Sequence, residues 1–161
     1  MNETREFKDL TVKHLGFLVD EFGLVYDESR NQFDHPSIRI SVEEYDSRLP
    51  TISVWFKSEP KFTSLGLDRL LEEFIDYEAM DKLLIEGCFD YFASVLRKHL
   101  AELMKRSESF LLKAMKKILI DELKSQNFTK SNYLAGLTEW NRKEYYYIQK
   151  KDRGWDPGKA L

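Results

Sequence analysis

The sequence predicts an α+β fold: a small antiparallel sheet of about three strands packed against several helices, with a helix-rich C-terminal half. Two patterns predict it. Apolar and polar residues alternate at every second position over 37–43 and 51–57, and after residue 60 the apolar residues recur at spacings of three and four. Composition agrees, because 161 residues with 42% apolar, 14% aromatic and 33% charged side chains suit one buried core. Only 7 Gly and 4 Pro exclude collagen-like, low-complexity and disordered chains. The expected organisation is a single domain over 1–150, followed by a loosely held tail over 151–161 that carries Gly154, Pro157 and Gly158.

Over 5–22, Phe7, Leu10, Leu15, Leu18, Val19 and Phe22 fall near one face of a helix, and Gly23 fits its C-terminal end. A short strand follows over Leu24 to Ser29, then a polar turn with Asn31, Asp34 and Pro36. Ile38, Ile40 and Val42 form the inward face of the next strand, and Ile52, Val54 and Phe56 that of its partner. The connection through Tyr45, Asp46, Ser47, Arg48 and Pro50 makes consecutive antiparallel pairing the economical topology.

The period then changes to that of a helix, with Leu65, Leu67, Leu70, Leu71, Phe74 and Ile75 and with Ser64 or Asp68 as cap. The longest helical pattern runs from about Met80 to Lys105, its stripe being Leu84, Cys88, Phe92, Leu96, His99 or Leu100, and Leu103. Ser107 and Ser109 mark a break, and a second helix continues through Leu111, Leu112, Met115, Ile118, Leu119 and Leu123 to about Gln126, so the two read as a helical hairpin. A final helix is expected over about Lys130 to Lys150.

Net charge is −3, yet residues 1–90 hold 10 Lys and Arg against 20 Asp and Glu, and residues 91–161 hold 15 against 8. That imbalance either steers charged partners or neutralises itself within the fold. One cysteine, Cys88, excludes an internal disulfide and a multi-cysteine zinc site. With no signal-like apolar run and no stretch long enough to span a membrane, the expected location is the cytoplasm.

The search for chemistry returns little. His14, His35 and His99 lack companions at zinc-ligand spacing, so no metal and no cofactor is expected. Cys88 stands among Ile85, Phe89 and Phe92, an environment that suppresses the thiolate. No nucleophile elbow, P-loop or dinucleotide fingerprint occurs. Acids cluster at Glu43, Glu44 and Asp46 and again at Glu72, Glu73, Asp76, Glu78 and Asp81. Such groups perform acid–base work only where their environments separate their pKa values, and a run of acids is more often a solvated face. A small enzyme with an unrecognised carboxylate site stays as an alternative, but the expectation is a protein without catalysis.

Two features point to recognition instead. Trp55 lies on the polar face of its strand beside Arg39, Ser41 and Ser53, close to Glu43, Glu44, Tyr45, Asp46 and Arg48. Tryptophan with charged neighbours anchors protein interfaces. The acidic run Glu72, Glu73 and Asp76 offers a second surface for a basic protein. The other feature is the basic and aromatic segment from Arg142 to Trp155, which with Lys113, Lys116 and Lys117 suits a nucleic-acid-associated regulator. A pI of about 5.7 argues against that alternative. The broad apolar faces of the hairpin leave a homodimer open.

HLGFLVDEFGL (14–24), IRISV (38–42), TISVWF (51–56) and LGLDRLLEEF (65–74) together resemble small bacterial α+β proteins that include polymorphic-toxin immunity proteins. The resemblance covers about the first half of the chain and rests on fold pattern. It implies a non-catalytic inhibitor that binds a cognate toxin, with an acidic surface where the toxin is basic. The longer, basic C-terminal half departs from the pattern, and no binding residue transfers from the family.

Overall fold

Five strands, joined in the order β1-β2-β3-β4-β5 with every neighbouring pair antiparallel, make a meander in the N-terminal part of the chain. They are β1 (Val25–Asp27), β2 (Gln32–Asp34), β3 (Ile38–Asp46), β4 (Leu49–Phe56) and β5 (Leu65–Gly66). The computed structural model describes residues 4–46, 49–57 and 64–161, so Arg48, Ser47 and Pro60 lie outside the described residues. The chain divides into two compact units, Met1–Ser107 and Glu108–Leu161.

The fold is α+β, with a larger sheet than the three strands expected. β2 forms within the polar stretch expected as a turn, and β5 holds two residues, too few to display an alternating pattern. In the long central pair the alternation is realised directly: Ile38 faces Phe56, Ile40 faces Val54 and Val42 faces Ile52. All six are buried, and each such side chain contributes about 1.5–3 kcal/mol of burial.

Helix α1 (Arg5–Leu15) and the short α2 (Phe17–Asp20) replace the single helix expected over 5–22. The ladder tightens at Gly16, whose carbonyl accepts from Val19 N–H at 3.0 Å. This shift of phase buries Phe7, Thr11, Leu15, Phe17 and Leu18 and turns Val19 outward. Gly23 follows with φ of 73°, the left-handed value that glycine adopts without strain.

The continuous helix expected over 65–75 is broken into α3 (Leu67–Leu70), a 3-10 turn (Glu72–Phe74) and α4 (Tyr77–Met80). The residue capping α3 is Gly66, not Ser64 or Asp68, while Asp76 caps α4 by accepting from Ala79 N–H at 3.0 Å. α5 (Ile85–Lys105) packs on α1 and β4 and closes the core of the first unit. Its buried stripe is Cys88, Phe92, Leu96, Leu100 and Leu103, with Phe89 against Phe7 at 5.2 Å between ring centroids. Leu84 departs from this stripe. It is the N-cap residue and is 84% exposed.

In the second unit, α6 (Ser107–Ser125) buries Leu111, Met115, Leu119 and Leu123. It ends with Asn127 at φ 59°, where Phe128 N–H donates to Leu123 O and Asn127 N–H to Lys124 O, the paired bonds of a Schellman cap. The last helix is shorter than expected: a 3-10 turn (Tyr133–Gly136) precedes α7 (Glu139–Lys151), which Thr138 caps. The residues after α7 are held by specific bonds. Tyr133 donates its hydroxyl to Asp156 at 2.8 Å, Gln149 donates to Trp155 O, and Pro157 and Gly158 are buried.

Candidate protein-binding surface

Alternation along β3 decides which of its acids share a surface. Successive strand residues point to opposite faces, so Glu43, opposite Thr51, shares the outer face with Arg39, Ser41, Ser53 and Trp55, whereas Glu44, opposite Pro50, lies on the helix-covered face. Glu44 is committed there. Its carboxylate accepts from the backbone N–H of Thr4 at 3.0 Å and from the Thr4 hydroxyl at 3.1 Å, and Thr4 in turn caps α1. Tyr45 and Asp46 are the last residues of β3.

The outer face is less acidic than its composition suggests. Asp34 pairs with Lys57 at 2.6 Å and with Arg39 at 3.3 Å, and the Lys57 bond, ahead of that from Arg39, holds the Asp34 carboxyl below the usual carboxylate range. Trp55 is half-buried and donates Nε1–H to the Ser41 hydroxyl. The indole is therefore already seated on its own sheet, and its neighbours are a neutralised cation–carboxylate cluster.

A different stretch of the chain carries exposed apolar residues together with acids. Nine large hydrophobic residues are exposed among those described, and four of them, Phe74, Tyr77, Leu83 and Leu84, fall within eleven positions. The same connector from α3 to α5 carries Asp68, Glu72, Glu73, Asp76, Glu78 and Asp81 against only Arg69 and Lys82. Local bonds fix its course. Asp76 N–H donates to the Tyr91 hydroxyl at 2.7 Å, the Tyr77 hydroxyl donates to Asp68 O at 3.0 Å, and Arg69 pairs with Glu72 at 3.3 Å. Phe74 stacks on His99 of α5 with centroids 3.7 Å apart and planes 16° from parallel. Leu83 rests near Gly87, where an added Cβ would meet Leu83 Cβ at 3.2 Å. From Leu84 to His99 the connector borders about 22 Å of α5 at the helical rise per residue.

Sequence reasoning places Glu72, Glu73 and Asp76 on this surface and misses its apolar members. By spacing alone Phe74 belongs to a buried helical stripe and Leu84 to the core stripe of α5. No sequence signal marks Leu84, because the apolar spacing runs on through it from about Met80 and only the structure starts the helix after it, at a position that favours Ser, Thr, Asp or Asn.

Other sequence candidates resolve differently. Cys88 is fully buried, and that burial pushes its thiol up. His35 Nδ1 lies 2.9 Å from the Ser37 hydroxyl and accepts from Ser37 N–H in the turn before β3. His14 lies 3.1 Å from Glu86, which also pairs with Lys13. Among the described residues no group of three or more His, Cys, Asp or Glu is placed to hold a metal ion. No helix among them is long and apolar enough to cross a membrane.

The basic segment of the second unit spends much of its charge internally. Lys116 pairs with Asp152 at 2.7 Å and lies 5.7 Å from the centre of the Trp155 ring, and Lys151 pairs with Glu108 at 2.9 Å. Of the three consecutive tyrosines, Tyr147 is buried, Tyr145 half-buried and Tyr146 exposed.

The chain matches no protein-family model, no curated protein and no solved structure.

One buried group lies outside every sequence candidate. Glu144 of α7 is 1% exposed, and burial, with repulsion from Glu122 second, raises its carboxyl to about 8.

Proposed function

We propose that this protein acts by binding another protein, without catalysis, and that the partner is basic and docks on the connector from Glu72 to Leu84. The observation that carries the reading is Leu84, an 84% exposed leucine at the N-cap of the longest helix. That placement forgoes a capping side chain and leaves apolar surface in water, two local losses of the kind a protein retains at a functional surface. Exposed Phe74, Tyr77 and Leu83 supply further apolar anchors, and the surrounding acids supply a rim that steers a basic partner. The resemblance to immunity proteins supplies the kind of partner: a cognate toxin domain, held inactive by occlusion of its basic surface.

The test compares affinity capture from the source cell by the full chain and by three variants. Leu84→Ser and the triple reversal Glu73→Lys, Glu78→Lys, Asp81→Lys are expected to lose a basic protein that the unaltered chain retains, and retention is expected to weaken with salt. Trp55→Ala is expected to keep it. Equal retention by the Leu84 and charge-reversal variants rejects this surface, and loss by Trp55→Ala alone moves the site to the outer face of the sheet. Addition of the protein to the purified partner is then expected to suppress the partner's activity.

A nucleic-acid role for the second unit is the weaker reading, because Lys116 and Lys151 are engaged by Asp152 and Glu108.

A further inference from the structure

Asn141, Glu144 and Ile148 recur on one face of α7, and all three are buried, at 0%, 1% and 0% exposure. Ile148 suits that position and the other two do not. Both polar atoms of the Asn141 amide and the Oε2 of Glu144 are buried with no hydrogen-bond partner among the described residues.

An ionised carboxylate in such a place needs a cation or several donors, yet among the described residues the Asn141 amide one turn away makes no bond to it, and what acts on it is burial and another acid. On α7 the positions one turn away are Trp140, Asn141, Tyr147 and Ile148, all uncharged. On α6 the group acting on Glu144 is Glu122, another acid. The cations joining α6 to α7 are engaged farther along: Lys116 pairs with Asp152 and Lys151 with Glu108. Asp152 and Lys151 lie eight and seven residues beyond Glu144, about 10–12 Å along the helix. In the preceding 3-10 turn, the Tyr133 hydroxyl is turned to Asp156. The neutral acid fits better, since it needs no counter-charge and brings a donor to a face on which the Asn141 carbonyl oxygen lacks one.

We propose that the second unit folds around Glu144 in its protonated form, so that folding takes up one proton from solvent and alkaline pH loosens α7. The direction follows from linkage. The folded carboxyl is held up at about 8 against an ordinary value of 4.5. Its contribution is therefore complete below 4.5, declines through the window from 4.5 to 8, and is gone above it. A group that lags its unfolded counterpart by one proton changes the folding equilibrium about tenfold per pH unit inside that window.

The test is amide hydrogen exchange of α7 in the full chain, corrected for the intrinsic pH dependence of exchange, together with a carbon NMR titration of the Glu144 carboxyl. Protection is expected to fall about tenfold per pH unit between roughly pH 5.5 and 7.5, and the carboxyl to titrate above pH 7. Glu144→Gln is expected to make the protection of α7 independent of pH in that range. Glu122→Gln is expected to lower the Glu144 midpoint and shrink the loss, which keeps the proposal testable if the Glu144→Gln chain folds poorly. A Glu144 midpoint near 4.5, or the same pH slope in the Glu144→Gln chain as in the unaltered one, overturns it.

Discussion

Glu44 reaches from β3 to the N-terminus of α1, where Thr4 donates to it from both its backbone N–H and its hydroxyl, at 3.0 and 3.1 Å. Thr4 uses the same hydroxyl oxygen to accept from Phe7 N–H at 3.2 Å. The pair is thus a joint between sheet and helix. Glu44→Ala is expected to destabilise the first unit by about 1 kcal/mol, the scale of a lost cap. Glu43→Lys, on the opposite face, is expected to change stability by less than about 0.5 kcal/mol. Urea denaturation of the two variants checks the difference, and equal effects would place both side chains on one face.

A second joint lies inside the same unit. Asn31 is fully buried with φ of 49°, and its side-chain amide donates to Thr11 Oγ1 at 3.2 Å and Val42 O at 3.0 Å while its oxygen accepts from the Tyr26 hydroxyl at 2.8 Å. One residue thereby links α1, β1 and β3. Asn31→Ala removes these bonds and places a Cβ residue without a local hydrogen bond at positive φ, for an expected loss of about 2–4 kcal/mol. Asn31→Gly relieves only the backbone part and is expected to recover about 1 kcal/mol of it. Thermal unfolding of both variants measures the split. A loss below about 0.5 kcal/mol in Asn31→Ala would show that the network is idle.

Asp156 gives the second unit an acid-side dependence opposite in sign to that of Glu144. The hydrogen bond from Tyr133, and after it the Gly158 N–H, hold the Asp156 carboxyl below its ordinary value, while burial first and the same bond second push the Tyr133 phenol up. Because the folded carboxyl is the stronger acid, its contribution is present above the unfolded value and is lost as pH falls through the depressed one. Tyr133→Phe is expected to raise the Asp156 midpoint and weaken this acid sensitivity. A carboxyl NMR titration between about pH 2 and 6 reads it, and an unmoved midpoint would contradict the assignment.

The Leu84 surface adds a stability signature to the binding test. Leu84→Ser places a favoured capping residue at the start of α5, so the variant is expected to gain about 1 kcal/mol of stability while losing the partner. Opposite signs for folding and binding distinguish a surface kept for recognition from one kept for packing. Loss of both together would make Leu84 a structural residue.

The central strands were legible because alternation is a short-range signal. Strands of nine and eight residues display it several times over, and Ile40 against Val54 follows from it once the two strands pair. The same rule separates Glu43 from Glu44, although reading the acids as one cluster hides the separation. β2 was not legible because it lies in the polar stretch that reads as a turn, and β5 because two residues carry no period. The helix expected through Phe74 also failed: its apolar spacing continues, but the chain breaks into three short turns, leaving Phe74 exposed against His99. Of the candidate surface, its acids were visible as composition and its anchors were not.

Taken alone, the amino-acid order determined the α+β class, the inward faces of the two central strands and most of the apolar stripe of α5. Each follows from neighbours a few positions apart, whose side chains must share a face whatever else the chain does. Tertiary structure decided which residues are covered: Asn31 within a satisfied interior network, Glu144 in a buried position without a cation, and Leu84 left in water. Those outcomes depend on which distant segment covers a residue, and the spacing of residues along the chain carries no record of that cover.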